Sequence, residues 1–184
     1  MLISKRKLCA TLFALAVIGI LAATGSPLFG APVPGGPGFV SVSPLAFKPL
    51  LPGWPYSYTA SNRFYNSGDA LYLFYAPVQL PHGAIITQLV LYFVDKGVGS
   101  ISVSLVSHPL DEPSNPTQMI SMVTTGAILD PQTLIGNIFL HGNVIDNQSN
   151  SYIVSLGLSP GTNYSVGGVR IDYNYPINLP LIMK

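Results

Sequence analysis

Charged side chains are scarce in this chain. Lys, Arg, Asp and Glu together make up 8% of its 184 residues, against about 25% in an average soluble protein. The sequence has no cluster of Lys and Arg of the kind that nucleic-acid binding requires, so that class of partner is excluded. Ser, Thr and Asn must provide the solubility instead, a composition that suits an exported protein whose surface meets other surfaces.

Cysteine is almost absent, and its one occurrence, Cys9, falls in the N-terminal segment. Once that segment is removed, the chain has no thiol, no disulfide and no metal site with a cysteine ligand. Its stability must then come from packing. Removing residues 1–25 leaves 159 of 184 residues, which is enough for one domain with a substantial apolar core.

Residues 1–25 have the design of a signal peptide. The basic residues Lys5, Arg6 and Lys7 precede a 16-residue apolar run, residues 8–23. Small residues at 23 and 25 then mark a cleavage site ahead of Ser26. We therefore predict a cleaved signal-peptide helix and a secreted protein, extracellular or in the cell envelope, that meets a membrane only before cleavage. The alternative, a retained anchor, would need a longer run of about 20 residues.

Three of the eight basic residues lie in this leader, so the remaining chain has five basic and seven acidic groups, a formal charge of −2. A charge this small does not steer a charged partner over long distances. Residues 26–38, rich in Pro and Gly, predict a flexible spacer. Residues 39–184 then form a single domain whose apolar tail, Tyr175–Lys184, contains two prolines. We expect the tail to fold back along the domain, or else to dock on a neighbouring subunit.

Alternation of apolar and polar residues predicts β-strands in the domain. In residues 100–107, Ile101, Val103 and Leu105 share one face and serines occupy the other. The segment from Ala84 to Asp95 is apolar on both faces and predicts a central strand, with Leu89, Leu91 and Phe93 facing the core. Further strands are predicted at 39–47, 70–79, 118–125, 134–140, 151–158 and 169–175, separated by Gly- and Pro-rich turns.

Eight or so short strands without a helical stripe indicate an all-β protein with an antiparallel two-sheet sandwich. A jelly-roll-like order is favoured over an immunoglobulin-like one, because the cysteine and tryptophan hallmarks of the latter are missing.

The stretch from Leu80 to Thr87 (LPHGAIIT), the long strand that ends at Asp95, and the closing GVRIDY segment resemble secreted bacterial β-sandwich proteins of unknown function. Those proteins have an LPxGAxIT turn and a closing GVxIxY strand. The resemblance implies a jelly-roll-like sandwich over residues 39–175 and no assigned activity. Asp95, which precedes Lys96-Gly97, predicts a turn cap between two hairpin strands.

No pattern of catalytic residues is evident, so we predict that the protein is not an enzyme. There is no G-x-S-x-G motif, and most acidic residues sit in turns. His82, His108 and His141 lack the spacing of metal ligands, and their solvent-facing placement in loops is favoured over convergence on a metal. No metal site is therefore assigned. Calcium is the one weak cofactor prediction, with candidate ligands Asp111, Glu112, Asp146 and Asn147.

Aromatic residues concentrate between residues 54 and 75, and four of them are candidate ligand-binding residues: Trp54, Tyr56, Tyr58 and Tyr65. Trp54 and Tyr56 are expected in a loop. The leading hypothesis is a non-enzymatic structural or attachment protein that forms a homo-oligomer or contacts a surface protein. The alternative is a carbohydrate-binding domain whose exposed aromatic rings hold a polysaccharide. A glycan hydrolase is the third reading.

Overall fold

A computed structural model describes residues 36–124, 126 and 128–176. The predicted leader and most of the predicted spacer and apolar tail lie outside the described residues, so these remain predictions. None of the described residues belongs to a helix of the length and apolar character that crossing a membrane requires.

Strands make up most of the described chain, joined by turns and by one three-residue 3-10 helix, Pro44–Ala46. The strands are β1 (Pro37–Val42), β2 (Lys48–Pro49), β3 (Tyr56–Tyr58), β4 (Phe64–Asn66), β5 (Tyr72–Val78), β6 (Ile85–Asp95), β7 (Ile101–Pro109), β8 (Thr117–Val123), β9 (Ile128–Gly136), β10 (Asn150–Leu158) and β11 (Tyr164–Asn174).

The strands form two antiparallel sheets that pack face to face. Sheet A has the order β3-β4-β11-β6-β9, with β1 also paired to β11, and sheet B has the order β2-β5-β10-β7-β8. Four antiparallel pairs, β4 with β11, β5 with β10, β6 with β9 and β7 with β8, show that the first half of the chain runs alongside the second half in reverse. Rolling such a long double strand into two sheets gives a jelly roll, which confirms the predicted fold class.

The core lies between the two sheets. Leu89, Leu91 and Phe93 of β6 enter it, as the sequence predicted, opposite residues of sheet B such as Leu105 and Leu156. At the β3 end, the buried rings of Phe64 and Phe74 meet edge to face, with centroids 4.8 Å apart. That arrangement suits the charge distribution of aromatic rings.

The structure corrects two sequence predictions in the aromatic and turn regions. Tyr56 is not in a loop but begins β3, a short strand whose three residues, Tyr-Ser-Tyr, were too few to show alternation. Asp95 does not join two hairpin strands, because β6 belongs to sheet A and β7 to sheet B. Asp95 is buried and accepts a 2.5 Å hydrogen bond from Thr124 Oγ1. It therefore links the end of β6 in sheet A to the residue that follows β8 in sheet B.

Candidate functional site

Side chains with binding chemistry meet on the outer face of sheet A, the face turned away from the core. In β11, Val169 and Ile171 are buried in the core. Because successive side chains of a strand point to opposite faces, Arg170 and Asp172 point to the outer face.

The neighbouring strands place an aromatic ring and an amide beside these charges. Val40 of β1 packs against the core, so Phe39 points outward. Phe39 is directly opposite Asp172, which in turn is opposite Gln88 of β6. The three side chains therefore form one row across three strands of sheet A.

Arg170 lies beside this row and is bound by Asp172. The Arg170 Nε atom lies 2.8 Å from Asp172 Oδ1, and Nη2 donates a 3.0 Å hydrogen bond to Oδ2. The hydrogen bond to Asp172 raises the pKa of Arg170 above its usual value. The charged guanidinium carbon lies 5.9 Å from the centroid of the Phe39 ring, within the range of a cation–π contact. Phe39 is still 65% exposed, so its ring remains available to a ligand.

These residues line an open groove of about 470 Å³, called here the Phe39 groove, together with Thr87, Gln88 and Asn174. A β-bulge shapes its wall. Asp172 is paired with Gln88 but Tyr173 is paired with Ile86, so Thr87 is an extra residue in β6. The groove combines an exposed ring with amide, guanidinium, carboxylate and hydroxyl groups. Such a surface can contact the apolar face of a sugar ring and hydrogen-bond its hydroxyls.

The outer face continues from the Phe39 groove along β6 and β11. A second β-bulge, between Val166 and Gly168, interrupts β11. There, Gly167 and Gly168 carry no side chains, and a depression of about 300 Å³ opens beside Tyr92, which is 38% exposed. A third depression follows near Val94 and Ser165. From Gln88 to Val94 the face extends about 20 Å at 3.3 Å per residue. We call this surface the outer-face track.

The four predicted ligand-binding residues are not brought together at one site. The Trp54 ring stacks on Tyr72, with centroids 4.7 Å apart and planes 11° from parallel. Tyr56 and Tyr58 pack on the buried ring of Phe64, at 5.4 and 5.7 Å between centroids. Burial, together with the neighbouring Tyr56, raises the pKa of Tyr58. Trp54, Tyr56 and Tyr58 therefore pack against aromatic residues in the core or at its edge, although Tyr56 is still 40% exposed.

Tyr65 is placed differently from the other three. It is paired with Ser165 of β11 in the register that puts its neighbour Phe64 in the core. Tyr65 therefore points to the outer face of sheet A, beside the end of the outer-face track. The binding role of all four residues stays a prediction.

The predicted calcium ligands lie on two neighbouring loops, linked by a 2.8 Å hydrogen bond from Leu110 N to Ser149 O. Asp146 Oδ1 accepts a hydrogen bond from Gln148 N, and bonds from Ser149 and Gln148 lower the pKa of Asp146. Asn147 donates its side-chain amide to Leu80 O at 2.7 Å. These contacts stabilise the loop, and calcium binding remains a prediction.

The three histidines make local contacts. His82 Nδ1 accepts a hydrogen bond from Asn147 N at 3.1 Å. His108 Nδ1 is 3.3 Å from Pro113 O, and His141 Nδ1 is 2.7 Å from Leu140 O. Among the described residues, no group of three or more His, Cys, Asp or Glu side chains could hold a metal ion.

Sequence reasoning missed Phe39 as a site residue, and it found Arg170 and Asp172 only as the polar positions of a strand. The segment VRIDY did contain a signal for a site, because its opposite charges, two residues apart, share the solvent-facing side of a strand. Finding Phe39 required the pairing of β1 with β11, which places Phe39 opposite Asp172, a residue 133 positions away in the sequence.

No protein-family model and no curated protein matches the chain. Similar solved structures include the C-terminal CBM6 of LamC, a marine laminarinase from Zobellia galactanivorans, with 8% identity, a TM-score of 0.46, and coverage of 73% of this chain and 98% of that one. A family 35 carbohydrate-binding module from Clostridium thermocellum has 12% identity, a TM-score of 0.38, and coverage of 73% and 97%.

A solved structure that is not a carbohydrate-binding module is similar to this chain to a comparable degree. The Eiger TNF from S. frugiperda has 12% identity, a TM-score of 0.34, and coverage of 83% of this chain and 99% of that one. At these identities and TM-scores the neighbours assign no role to any residue of this chain, and its function must be inferred from its own surface.

Proposed function

We propose that this protein is a secreted, non-enzymatic carbohydrate-binding domain that holds a polysaccharide on the outer face of sheet A. The observation that carries the proposal is the Phe39 groove. In it, a 65% exposed aromatic ring stands in one row with Asp172 and Gln88, beside the fixed guanidinium of Arg170.

The chemistry of the groove suits a sugar better than an apolar or a strongly charged ligand. Phe39 offers a flat apolar surface to the C–H groups of a pyranose ring. Gln88, Asn174 and Asp172 offer donors and acceptors to its hydroxyls. Arg170 and Asp172 neutralise each other, so the groove has directional hydrogen-bonding groups with little net charge.

Self-association, the leading hypothesis from composition, has less support. It rested partly on the apolar tail, most of which lies outside the described residues. The Phe39 groove, in contrast, is formed by residues of a single chain and needs no second copy to complete it.

Affinity electrophoresis in gels that contain soluble xylan, galactomannan or laminarin tests the proposal. We expect the wild-type protein to be retarded in at least one of these gels. The Phe39→Ala variant should lose about tenfold in affinity, the equivalent of about 1.4 kcal/mol of aromatic contact. Thermal unfolding of the variant should be nearly unchanged, because Phe39 is mostly exposed.

Trp54→Ala is the matched control, since it removes an aromatic ring from the same domain at a different place. We expect this variant to bind as the wild type does. If Trp54→Ala abolishes binding and Phe39→Ala does not, the site lies at Trp54 and the groove is not used. Absence of retardation in every gel, including gels that contain polygalacturonate or dextran sulfate, would refute the proposed function.

A further inference from the structure

We infer that the preferred polysaccharide is anionic, and that a pocket at the end of the outer-face track binds its carboxylate or sulfate groups through Arg63 and Lys96. This inference rests on the proposed function and names the class of polysaccharide. The pocket, called here the Arg63 pocket, has a volume of about 330 Å³.

Five separate parts of the chain line the Arg63 pocket: the β3–β4 turn, the end of β6, Pro131 of β9, Thr162 of the turn between β10 and β11, and Ser165 of β11. The turn between β3 and β4 supplies Thr59, Ser61 and Arg63, and the end of β6 is followed by Lys96. Ser165 of β11 lies between them, paired with Val94 on one side and Tyr65 on the other. Two cations and several hydroxyl groups therefore surround one depression, and both kinds of group can donate hydrogen bonds to an oxyanion.

The two cations of the pocket form no ion pair among the described residues. After the predicted leader, the chain has five basic residues, and two of them line this pocket. Arg170 is paired with Asp172, whereas among the described residues no carboxylate lies within salt-bridge distance of Arg63 or Lys96. Asp95, adjacent to Lys96 in sequence, is buried and bound by Thr124 instead.

The backbone that carries both cations is fixed before any ligand binds. Thr59 N donates to Arg63 O at 2.9 Å, and Arg63 N donates to Thr59 Oγ1 at 3.1 Å. Asn62 closes the turn with a positive φ of 57°, a conformation that Asn tolerates well. Lys96 N donates to Asn163 O at 2.9 Å. A fixed backbone lowers the entropy cost of binding.

The position of the pocket connects it to the Phe39 groove. Both open on the same face of sheet A, separated along β6 by roughly the 20 Å from Gln88 to Val94. A polysaccharide that lies on the outer-face track can therefore contact Phe39 at one end and place an anionic group between Arg63 and Lys96 at the other. A neutral polysaccharide would contact the groove but would gain nothing from these charges.

Matched pairs of polysaccharides test the inference. Polygalacturonate is compared with its methyl ester, which has the same backbone without the carboxylate charge, and dextran sulfate is compared with dextran. We expect the wild-type protein to bind one charged member at least tenfold more tightly than its neutral counterpart, with affinity falling as NaCl rises. The pair that shows this preference separates a carboxylate ligand from a sulfate ligand.

The variants Arg63→Gln and Lys96→Gln should each weaken binding of the charged polysaccharide about fivefold, the size expected for one exposed charge-assisted hydrogen bond. Binding of the neutral counterpart should be unchanged. Lys48→Gln, which removes the same charge from β2 in sheet B, is the control and should bind both as the wild type does.

The outcomes separate this inference from the proposed function. If neutral and charged polysaccharides bind equally and the Arg63 and Lys96 variants are unaffected, the inference is wrong, while loss of binding in Phe39→Ala would still support the groove. If Lys48→Gln weakens charged binding as much as the other two variants, the effect comes from overall charge and the Arg63 pocket is not the site.

Discussion

Asn66 is a buried polar residue whose side chain links the two sheets of the sandwich. Its side chain is completely buried, and all three of its hydrogen bonds are to the main chain. Nδ2 donates to Ala70 O at 2.7 Å and to Leu158 O at 2.9 Å, and Oδ1 accepts from Gly68 N at 2.9 Å. Asn66 thereby connects the turn after β4 in sheet A to the end of β10 in sheet B.

Replacing Asn66 with Ala should lower the free energy of unfolding by about 3 kcal/mol, because it leaves buried main-chain groups without partners. Urea denaturation of the purified protein measures the change. Asn115→Ala, in an exposed loop, is the control and should change stability by less than about 0.5 kcal/mol. Equal stability of the two variants would mean that water replaces the Asn66 amide.

The placement of individual side chains also explains why the sequence predicted the candidate site only in part. The sequence indicated a group of aromatic residues, but it did not show on which face each ring would lie. Tyr65 points to the outer face because Phe64 enters the core, whereas Tyr58 packs on Phe64 from β3. Short strands of three residues leave this choice to tertiary packing, which local alternation cannot reveal.

Among the elements, the long strands were predicted well and the irregular ones poorly. Predicted bounds of 84–95 and 100–107 are close to β6 and β7, since alternation over many residues is a strong signal. β9 was predicted at 134–140 but occupies Ile128–Gly136, and Pro131 within it weakened the pattern. The start of β11 was missed because Gly167 and Gly168 interrupt its alternation.

The β11 bulge at these glycines allows a test at the element scale. Gly168 has a φ of 145°, and an added Cβ would lie 3.1 Å from Val42 O. Gly168→Ala should therefore destabilise the protein by about 1–3 kcal/mol through backbone strain, measured by thermal unfolding. Gly142→Ala is the control, because its Cβ would meet nothing within 4 Å and its φ is not positive. If Gly168→Ala is as stable as wild type, the bulge must relax by changing its register.

At the scale of the whole molecule, the question is whether the protein functions as a monomer or as an oligomer. Exposed leucines at the β2–β5 edge of sheet B form an apolar surface for a second copy: Leu50, Leu51, Leu71 and Leu73 are 51%, 52%, 55% and 39% exposed. Leu50 N donates to Leu73 O, so these side chains lie close to one another. Such a patch is the surface on which self-association would depend.

Light scattering of the purified protein over a range of concentrations, with and without calcium, decides between the two functional classes. We expect the mass of a single chain throughout, because the Phe39 groove and the Arg63 pocket are each complete within one chain, and a stable dimer needs about 800 Å² of buried surface per partner. A concentration-independent oligomer would instead favour a structural protein. Leu73→Asp would then test the leucine patch: a return to monomer places the interface at this edge of sheet B, well away from the outer-face track, and an unchanged mass places it elsewhere.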